Sequence, residues 1–156
     1  MYRIGDQVCY PMHGVGTVEA IEEQSVLGQQ KEYYVLRFVI GRMTALVPVE
    51  GAGSVGLRPV SGREECDRVL TYLESGNVEE ETVNWNKRYR DNMDKLKEGS
   101  LMNVAEVVKS LLARDKRKGL STGERKMLIT ARQVLLTELT VASGLPCETL
   151  EALVTG

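Results

Sequence analysis

The sequence is poor in the residues that build metal centres and acid–base sites. Among its 156 residues there is one histidine, too few for a zinc set, and there are three cysteines, an odd number that excludes a complete disulfide framework. Cys9, Cys66 and Cys147 lie far apart and without CxxC spacing, so we expect reduced thiols in a cytoplasm, packed as small apolar side chains. His13 stands beside Gly14, which favours a position in a turn over a catalytic one.

Motifs that hold nucleotides or catalytic metals are also missing. We find no GxxxxGK[ST], no GxGxxG that opens a helix and no HExxH. No apolar run approaches 20 residues, which excludes a spanning helix. The first residues, Met-Tyr-Arg-Ile-Gly-Asp, lack the apolar core of a secretory signal. We therefore expect a cytoplasmic protein without cofactor, metal or membrane contact, whose role is binding and not catalysis.

The first sixty residues have the pattern of short β-strands. Residues 32–40 are rich in aromatic and β-branched side chains, as strands prefer. Further strands are predicted at about 8–10, 15–21, 43–49 and 57–60. Gly28 and the pair Gly41-Arg42 mark turns between them, and the glycine-rich residues 51–56 form a loop. Five short strands in about sixty residues favour a small, strongly bent SH3- or Tudor-like barrel.

From Ser61 onward the apolar spacing is that of helices. Ser61 with Glu64 has the spacing of a capping box, which predicts a helix to about Leu73. Residues 75–83 are predicted to form an acidic, irregular connection. Glycine or proline is expected to delimit the remaining helices, which run from Trp85 to Gly99, from Ser100 to Gly119, from Ser121 (with a second capping box to Glu124) to Gly144, and onward from Pro146.

A strand-rich half followed by a helix-rich half predicts an α+β chain of two small domains. We place an SH3/Tudor-like β-barrel in residues 1–60 and a compact all-α domain of about five helices in residues 61–156. The chain is long enough for two small cores. We expect a monomer.

Positive charge is concentrated in one block of the helical half. The whole chain has a formal net charge of −2, yet residues 84–132 carry 13 Lys/Arg against 6 Asp/Glu, a net charge of +7. The flanking ranges 61–83 and 133–156 are acidic, with net charges of −5 and −3. The only tryptophan, Trp85, lies in the most basic short stretch of the block. Aromatic wedges beside Lys and Arg are typical of proteins that distort DNA.

Helical spacing alone favours a different interpretation of Trp85. At about 100° per residue, Trp85, Tyr89, Met93 and Leu96 fall within roughly an 80° arc of one helix face. Such a stripe is typical of a helix that packs on a core, with Trp85 as its first member and the neighbouring cations on a solvated flank. Spacing therefore leaves both a core role and a DNA-contacting role open.

Nine short stretches, spread over both halves, are similar to one known family. They are residues 4–16, 31–36, 47–49, 55–58, 84–85, 87–90, 104–108, 120–121 and 123–128. In this order they resemble CarD/CdnL-type bacterial transcription regulators. The first half alone also resembles the polymerase-binding module of the transcription–repair coupling ATPase.

The resemblance implies a Tudor-like domain that binds the β subunit of RNA polymerase and a helical domain that contacts promoter DNA, with nucleoid association through the polymerase. In the family, a tryptophan wedges into the minor groove at the upstream edge of the transcription bubble and stabilises the open complex. Trp85 occupies that position, and Lys87 and Arg90 match its basic companions, so the resemblance favours the wedge over the core. The other cations of the basic block that we count as candidate DNA contacts are Arg88, Arg114, Arg125 and Lys126.

The same resemblance assigns the polymerase contact to the strand with the Val-Pro motif. Leu46, Val47 and Pro48 are the candidates, through pairing of an exposed strand edge with the β subunit. Some relatives have arginines at the positions of Gln24 and Leu46; here both are uncharged, and Arg37 is a candidate to compensate. Val47 fits a core strand position equally well.

A second class of function stays open on the sequence alone. The chain would then be a pure adaptor, whose barrel tethers a protein partner and whose helical half never touches nucleic acid. A buried indole whose fluorescence cannot be quenched would favour the adaptor, and an accessible one would favour the DNA wedge.

Overall fold

The chain folds into a β-sheet followed by a group of helices. The structure, a computed structural model, describes residues 1–75 and 84–155. The strands are β1 (Gln7–Tyr10), β2 (Gly14–Val26), β3 (Gln29–Phe38), β4 (Thr44–Pro48) and β5 (Arg58–Pro59). The helices in the described ranges are α1 (Arg63–Glu74), α2 (Trp85–Glu98), α3 (Leu101–Arg117), α4 (Thr122–Ser143) and α5 (Cys147–Glu151). The predicted α+β class is confirmed. The predicted acidic connection lies, from residue 76 to residue 83, outside the described residues.

All five strands belong to one antiparallel sheet, in the order β4-β3-β2-β1-β5. The long hairpin of β2 and β3 turns at Leu27 and Gly28, which both have positive φ. A register shift between Val18 and Ala20 marks a bulge, and a bulge bends its strand. Among the described residues β4 and β5 do not pair with each other, so the bent sheet has two edges. The buried side chains of its core are Val8, Val18, Tyr34, Leu36, Phe38, Val47, Ala52 and Leu57.

Local capping signals decide where three of the described helices begin and where two of them end. Asn84, Ser100 and Ser121 each accept a hydrogen bond from a backbone N–H of the first turn that follows. The side chain of Glu124, three residues after Ser121, accepts from the backbone N–H of Ser121 and so completes the predicted capping box. Gly99 and Gly144 end α2 and α4 in the left-handed conformation that glycine adopts without strain. These boundaries agree with those that the sequence predicts.

The capping box predicted at Ser61 is wrong. Helix α1 has Gly62 as its N-cap, with no side-chain cap bond. The backbone N–H and the hydroxyl of Ser61 both donate instead to Glu138 Oε2, at 2.9 and 2.7 Å. A buried carboxylate needs donors more than an accessible helix start does, because water can serve the latter.

The helices share a second core, which is separate from that of the sheet. Helix α3 contacts α1, α2 and α4. Buried members of this core are Cys66, Val69, Leu73, Leu96, Leu101, Val104, Ala105, Val107, Val108, Leu111, Met127, Ala131, Val134, Leu135, Leu139, Leu150 and Val154. All three cysteines are free, and Cys9 and Cys66 are buried as predicted, but Cys147 is exposed, contrary to the expectation that it packs.

An ion pair between a partly buried arginine and a buried glutamate joins the sheet to the helices. Arg58 on β5 donates through Nη2 and Nη1 to the two carboxylate oxygens of Glu138 on α4, at 2.6 and 2.8 Å. The same guanidinium donates to the carbonyl of Gly99, at the end of α2. Burial would raise the pKa of Glu138, but the donors Arg58 and Ser61 outweigh burial, and the pKa lies below its usual value. Burial, and next the Glu138 charge, raises the pKa of the adjoining Cys9 thiol to about 12.

Candidate functional site

Trp85 is the first residue of α2. Its N-cap Asn84 accepts a hydrogen bond from the backbone of Lys87 at 3.2 Å, which fixes the start of the helix. The Trp85 side chain is 43% exposed. This exposure is unusual for the largest apolar side chain, which proteins bury on average.

Two contacts hold the exposed indole against the protein. Its ring stacks on that of Tyr89, with centroids 5.2 Å apart and an interplanar angle of 20°. Its Nε1–H donates to the hydroxyl of Ser121, the N-cap of α4, at 3.1 Å. The stripe predicted from helical spacing is also present, since Tyr89 and Met93 are half-buried and Leu96 is buried. Trp85 is therefore the exposed end of a stripe whose other end lies in the core.

Arg88 does not belong to the exposed basic surface, and its assignment as a DNA contact needs correction. Its side chain is only 5% exposed, and its Nε donates to Glu124 Oε2 at 3.0 Å. Burial would raise the pKa of Glu124, but the bonds from Arg88 and Ser121 lower it below its usual value. Arg114 also turns toward this carboxylate, with its Nε 3.9 Å from Oε2. A guanidinium consumed by a buried carboxylate is not available to a phosphate.

The remaining candidate cations are exposed, and they come from two helix starts that lie together. Lys87 and Arg90 lie in the first two turns of α2, and Arg125 and Lys126 lie in the first turns of α4. The Trp85–Ser121 bond brings these starts into contact. The N-terminal end of a helix carries a partial positive charge that adds to that of the cations. The surface around Trp85 thus combines an exposed indole ring with positive charge.

The candidate polymerase-binding residues divide by face along β4. The side chain of Leu46 is 51% exposed, Pro48 is half-buried, and Val47 is 1% exposed, within the core of the sheet. The core interpretation of Val47 is therefore the right one for its side chain. Strand alternation explains the division, because neighbouring side chains of a strand point to opposite faces.

The backbone of β4 offers an open edge. Val49 N donates to Glu32 O, and Phe38 N donates to Met43 O, so the residues of β4 that bond to β3 are the odd-numbered ones. The N–H and C=O of Leu46 therefore point away from the sheet. Pro48 has no N–H to offer.

The two other candidates on the sheet have different surroundings. Arg37, on β3, is exposed and forms an ion pair with Glu19 at 3.0 Å. Arg37 lies opposite Thr44 of β4, and Thr44 is two residues from Leu46 on the edge strand. Gln24 is half-buried on β2, which is separated from β4 by β3. The structure brings Arg37 close to the edge, but not Gln24.

Sequence reasoning missed Ser121 as a contact of the indole and Arg58 as the link between sheet and helices. The capping-box pattern predicts Ser121 as a helix N-cap. Nothing in the sequence predicts its contact with Trp85, which is 36 residues away. The Arg58–Glu138 pair spans 80 residues, and nothing local marks it.

Among the described residues no group of His, Cys, Asp and Glu side chains could hold a metal ion. Nor does any described helix have the length and apolarity that crossing a membrane requires.

Comparison with known proteins identifies the family. Residues 2–61 match the CarD-like/TRCF RID domain, and residues 68–155 match the CarD C-terminal domain. The chain is 38% identical over 145 residues to "Putative transcription factor YdeB" of Bacillus subtilis (strain 168), a match covering 93% of this chain and 94% of that protein. A solved structure, CdnLNt from Myxoccoccus xanthus, is 42% identical, with 38% of this chain and 84% of that chain covered and a TM-score of 0.33. Since both family models and a full-length relative match in chain order, the chain belongs to the CarD family.

Proposed function

We propose that this transcription-associated regulator docks on the β subunit of RNA polymerase and stabilises the open promoter complex through Trp85. The β4 edge makes the polymerase contact, and the indole enters the minor groove at the upstream edge of the bubble. The protein performs no catalysis in this role. One small domain, residues 1–60, binds the polymerase, and a second, residues 61–156, contacts DNA.

The exposure of Trp85 is the observation that carries the proposal. Trp85 is 43% exposed at a helix start, beside the exposed Lys87 and Arg90. Its apolar surface therefore lies in water, and burial of that surface against a partner lowers the free energy. Unstacking a base step costs a few kcal/mol, and a flat apolar side chain in the gap offsets part of that cost. Cations beside it contact phosphates, which fixes the register without reading sequence.

Docking explains how a chain of net charge −2 acts on DNA. Weak DNA affinity suffices when a second contact holds the indole next to its target, because tethering raises the effective concentration. The open backbone edge at Leu46 suits this second contact, since an added strand gains affinity from main-chain hydrogen bonds.

Salt dependence tests the DNA half of the proposal. Lys87→Ala and Arg90→Ala should each weaken the binding of the full chain to a polymerase–promoter complex. Each should also reduce the slope of log affinity against log salt by about one, because each variant neutralises one phosphate fewer. Lys97→Ala is the matched control, because Lys97 is exposed in the last turn of the same helix, roughly 15 Å from Lys87.

The control decides between the proposal and the adaptor. Unchanged binding and slope for Lys97→Ala, with weaker binding and a smaller slope for the other two, supports the DNA contact. Equal behaviour of all three variants would contradict it, and would favour an adaptor whose helices do not touch nucleic acid.

A further inference from the structure

The hydroxyl of Ser121 is shared between the N-terminus of α4 and the indole. Its Oγ accepts from the backbone N–H of Glu124 at 3.2 Å and from Trp85 Nε1 at 3.1 Å, and it donates to Glu124 Oε1 at 3.1 Å. A serine hydroxyl offers one donor and two acceptor positions. All three are therefore used, and the direction of the hydroxyl is fixed by its partners.

The buried ion pair of Glu124 and Arg88 fixes the position of Ser121. Glu124 is 1% exposed, and it also accepts from the guanidinium of Arg88. A carboxylate so enclosed cannot move without leaving its partners unpaired. Ser121, bonded to this carboxylate through both its hydroxyl and its backbone N–H, is held in place on the α4 helix.

The stacked ring beneath the indole is itself supported by α4. Tyr89 is half-buried, and a Cβ built on Gly123 would lie 3.5 Å from its ring. The indole therefore contacts the N-cap of α4 at one edge, through Ser121, and rests on a ring that lies beside the first turn of the same helix.

We infer that Ser121 is a positioning residue for Trp85, which holds the indole in one orientation before DNA arrives. The inference rests on the proposed function where it concerns DNA. An exposed indole on a free χ1 and χ2 would have to be ordered on binding, at an entropic cost that preorganisation removes. With the hydrogen bond and the stack in place, Trp85 still remains 43% exposed.

The fluorescence of the free protein tests the positioning without DNA, because Trp85 is the only tryptophan. Ser121→Ala should lower the indole's anisotropy and increase its quenching by acrylamide. Ser121→Thr keeps a hydroxyl and a favoured cap residue, and should behave as the parent does. Ser100→Ala is the matched control, since Ser100 caps α3 in the same way without contacting Trp85.

Each outcome of this first measurement decides the inference. A change confined to Ser121→Ala supports it. An unchanged signal in Ser121→Ala overturns it, and an equal change in Ser121→Ala and Ser100→Ala overturns it too, because loss of any helix cap would then suffice.

The lifetime of the open promoter complex tests the consequence for DNA. Ser121→Ala should shorten it by about fivefold, the factor that one hydrogen bond of ordinary net strength gives, and Ser121→Thr should restore it. If Trp85→Ala shortens the lifetime and Ser121→Ala does not, the positioning role is overturned while the proposed function stands. If Trp85→Ala has no effect, the proposed function fails, and the fluorescence measurement alone decides whether Ser121 orients the indole.

Discussion

Arg88 and its neighbours show that burial, and not residue type, decides which cations reach a partner. Lys87, Arg88 and Arg90 stand within four positions of one helix, yet only Arg88 is buried, against Glu124. Its carboxylate partner comes from α4, so the distinction rests on tertiary packing. Removing Arg88 would take the guanidinium at 3.0 Å away from a buried carboxylate, so Arg88 serves the stability of the fold.

We expect Trp85→Ala to lower the free energy of unfolding by about 1–2 kcal/mol. The substitution removes one stacked aromatic pair and one hydrogen bond at a partly exposed position. A tryptophan in a core would cost about 3–5 kcal/mol. Thermal or urea unfolding measures the difference, and Trp85→Phe, which keeps a ring over Tyr89, should be destabilised less. A loss of about 4 kcal/mol or more would mean that the indole is a core residue.

At the scale of the element, helix starts were predictable because their signals are local. Asn84, Ser100 and Ser121 each satisfy the backbone N–H group three residues ahead, so the sequence carries the whole interaction. Ser61 has the same signal but is claimed by Glu138, 77 residues away. The prediction failed there because the hydroxyl of Ser61 hydrogen-bonds to a buried carboxylate that is distant in sequence, and not to the start of α1.

The β4 edge gives a prediction that separates main-chain pairing from side-chain contact. Leu46→Pro removes an N–H that points away from β3, so it should abolish pairing with the polymerase β subunit and leave the ladder with β3 intact. Leu46→Ala keeps that N–H and should retain much of the binding. Binding to isolated β subunit, with circular dichroism to check folding, measures both.

The opposite order of effects would contradict edge pairing. If Leu46→Ala abolishes binding as fully as Leu46→Pro, the interaction depends on the apolar side chain and not on the backbone. If a folded Leu46→Pro binds as the parent does, β4 is not the docking strand.

At the scale of the whole molecule, Arg58 connects the sheet with the helices. It bonds Glu138 on α4 and the carbonyl of Gly99 at the end of α2, whose other end carries Trp85. Pro11 reinforces this contact, because a Cβ on Gly99 would come within 3.1 Å of its ring. The position of the β4 edge relative to the indole therefore depends on the contacts at this junction.

The junction predicts how stability depends on pH. The pKa values of Glu138 and Glu124 lie below the usual value when the chain is folded, so the unfolded chain binds more protons in acid. Stability should be full above about pH 5, and it should fall as the pH drops through the unfolded value of about 4.3 and then through the lower folded values. Urea unfolding from about pH 7 to about pH 3 measures this. Glu138→Gln should flatten the profile, whereas Glu50→Gln, at an exposed position, should not.

A flat profile in the parent between about pH 5 and about pH 3 would contradict the assigned role of these buried carboxylates. Sequence reasoning had no access to the ion pairs that these carboxylates form. The class of fold followed from local periodicity, and the Trp85 surface from local composition. Glu124 is visible as a capping-box residue, but its second role as the partner of Arg88 is tertiary, and so is the whole of the Arg58–Glu138 contact.

The lifetime of the open promoter complex in the presence of Trp85→Ala tests the central claim most directly. The variant should bind polymerase as the parent does, because Trp85 lies in α2 and the docking edge lies in β4. The lifetime should fall by about tenfold, the factor that corresponds to about 1.4 kcal/mol of base–aromatic stacking. A folded, polymerase-bound Trp85→Ala that supports open complexes as long-lived as the parent's would contradict the account.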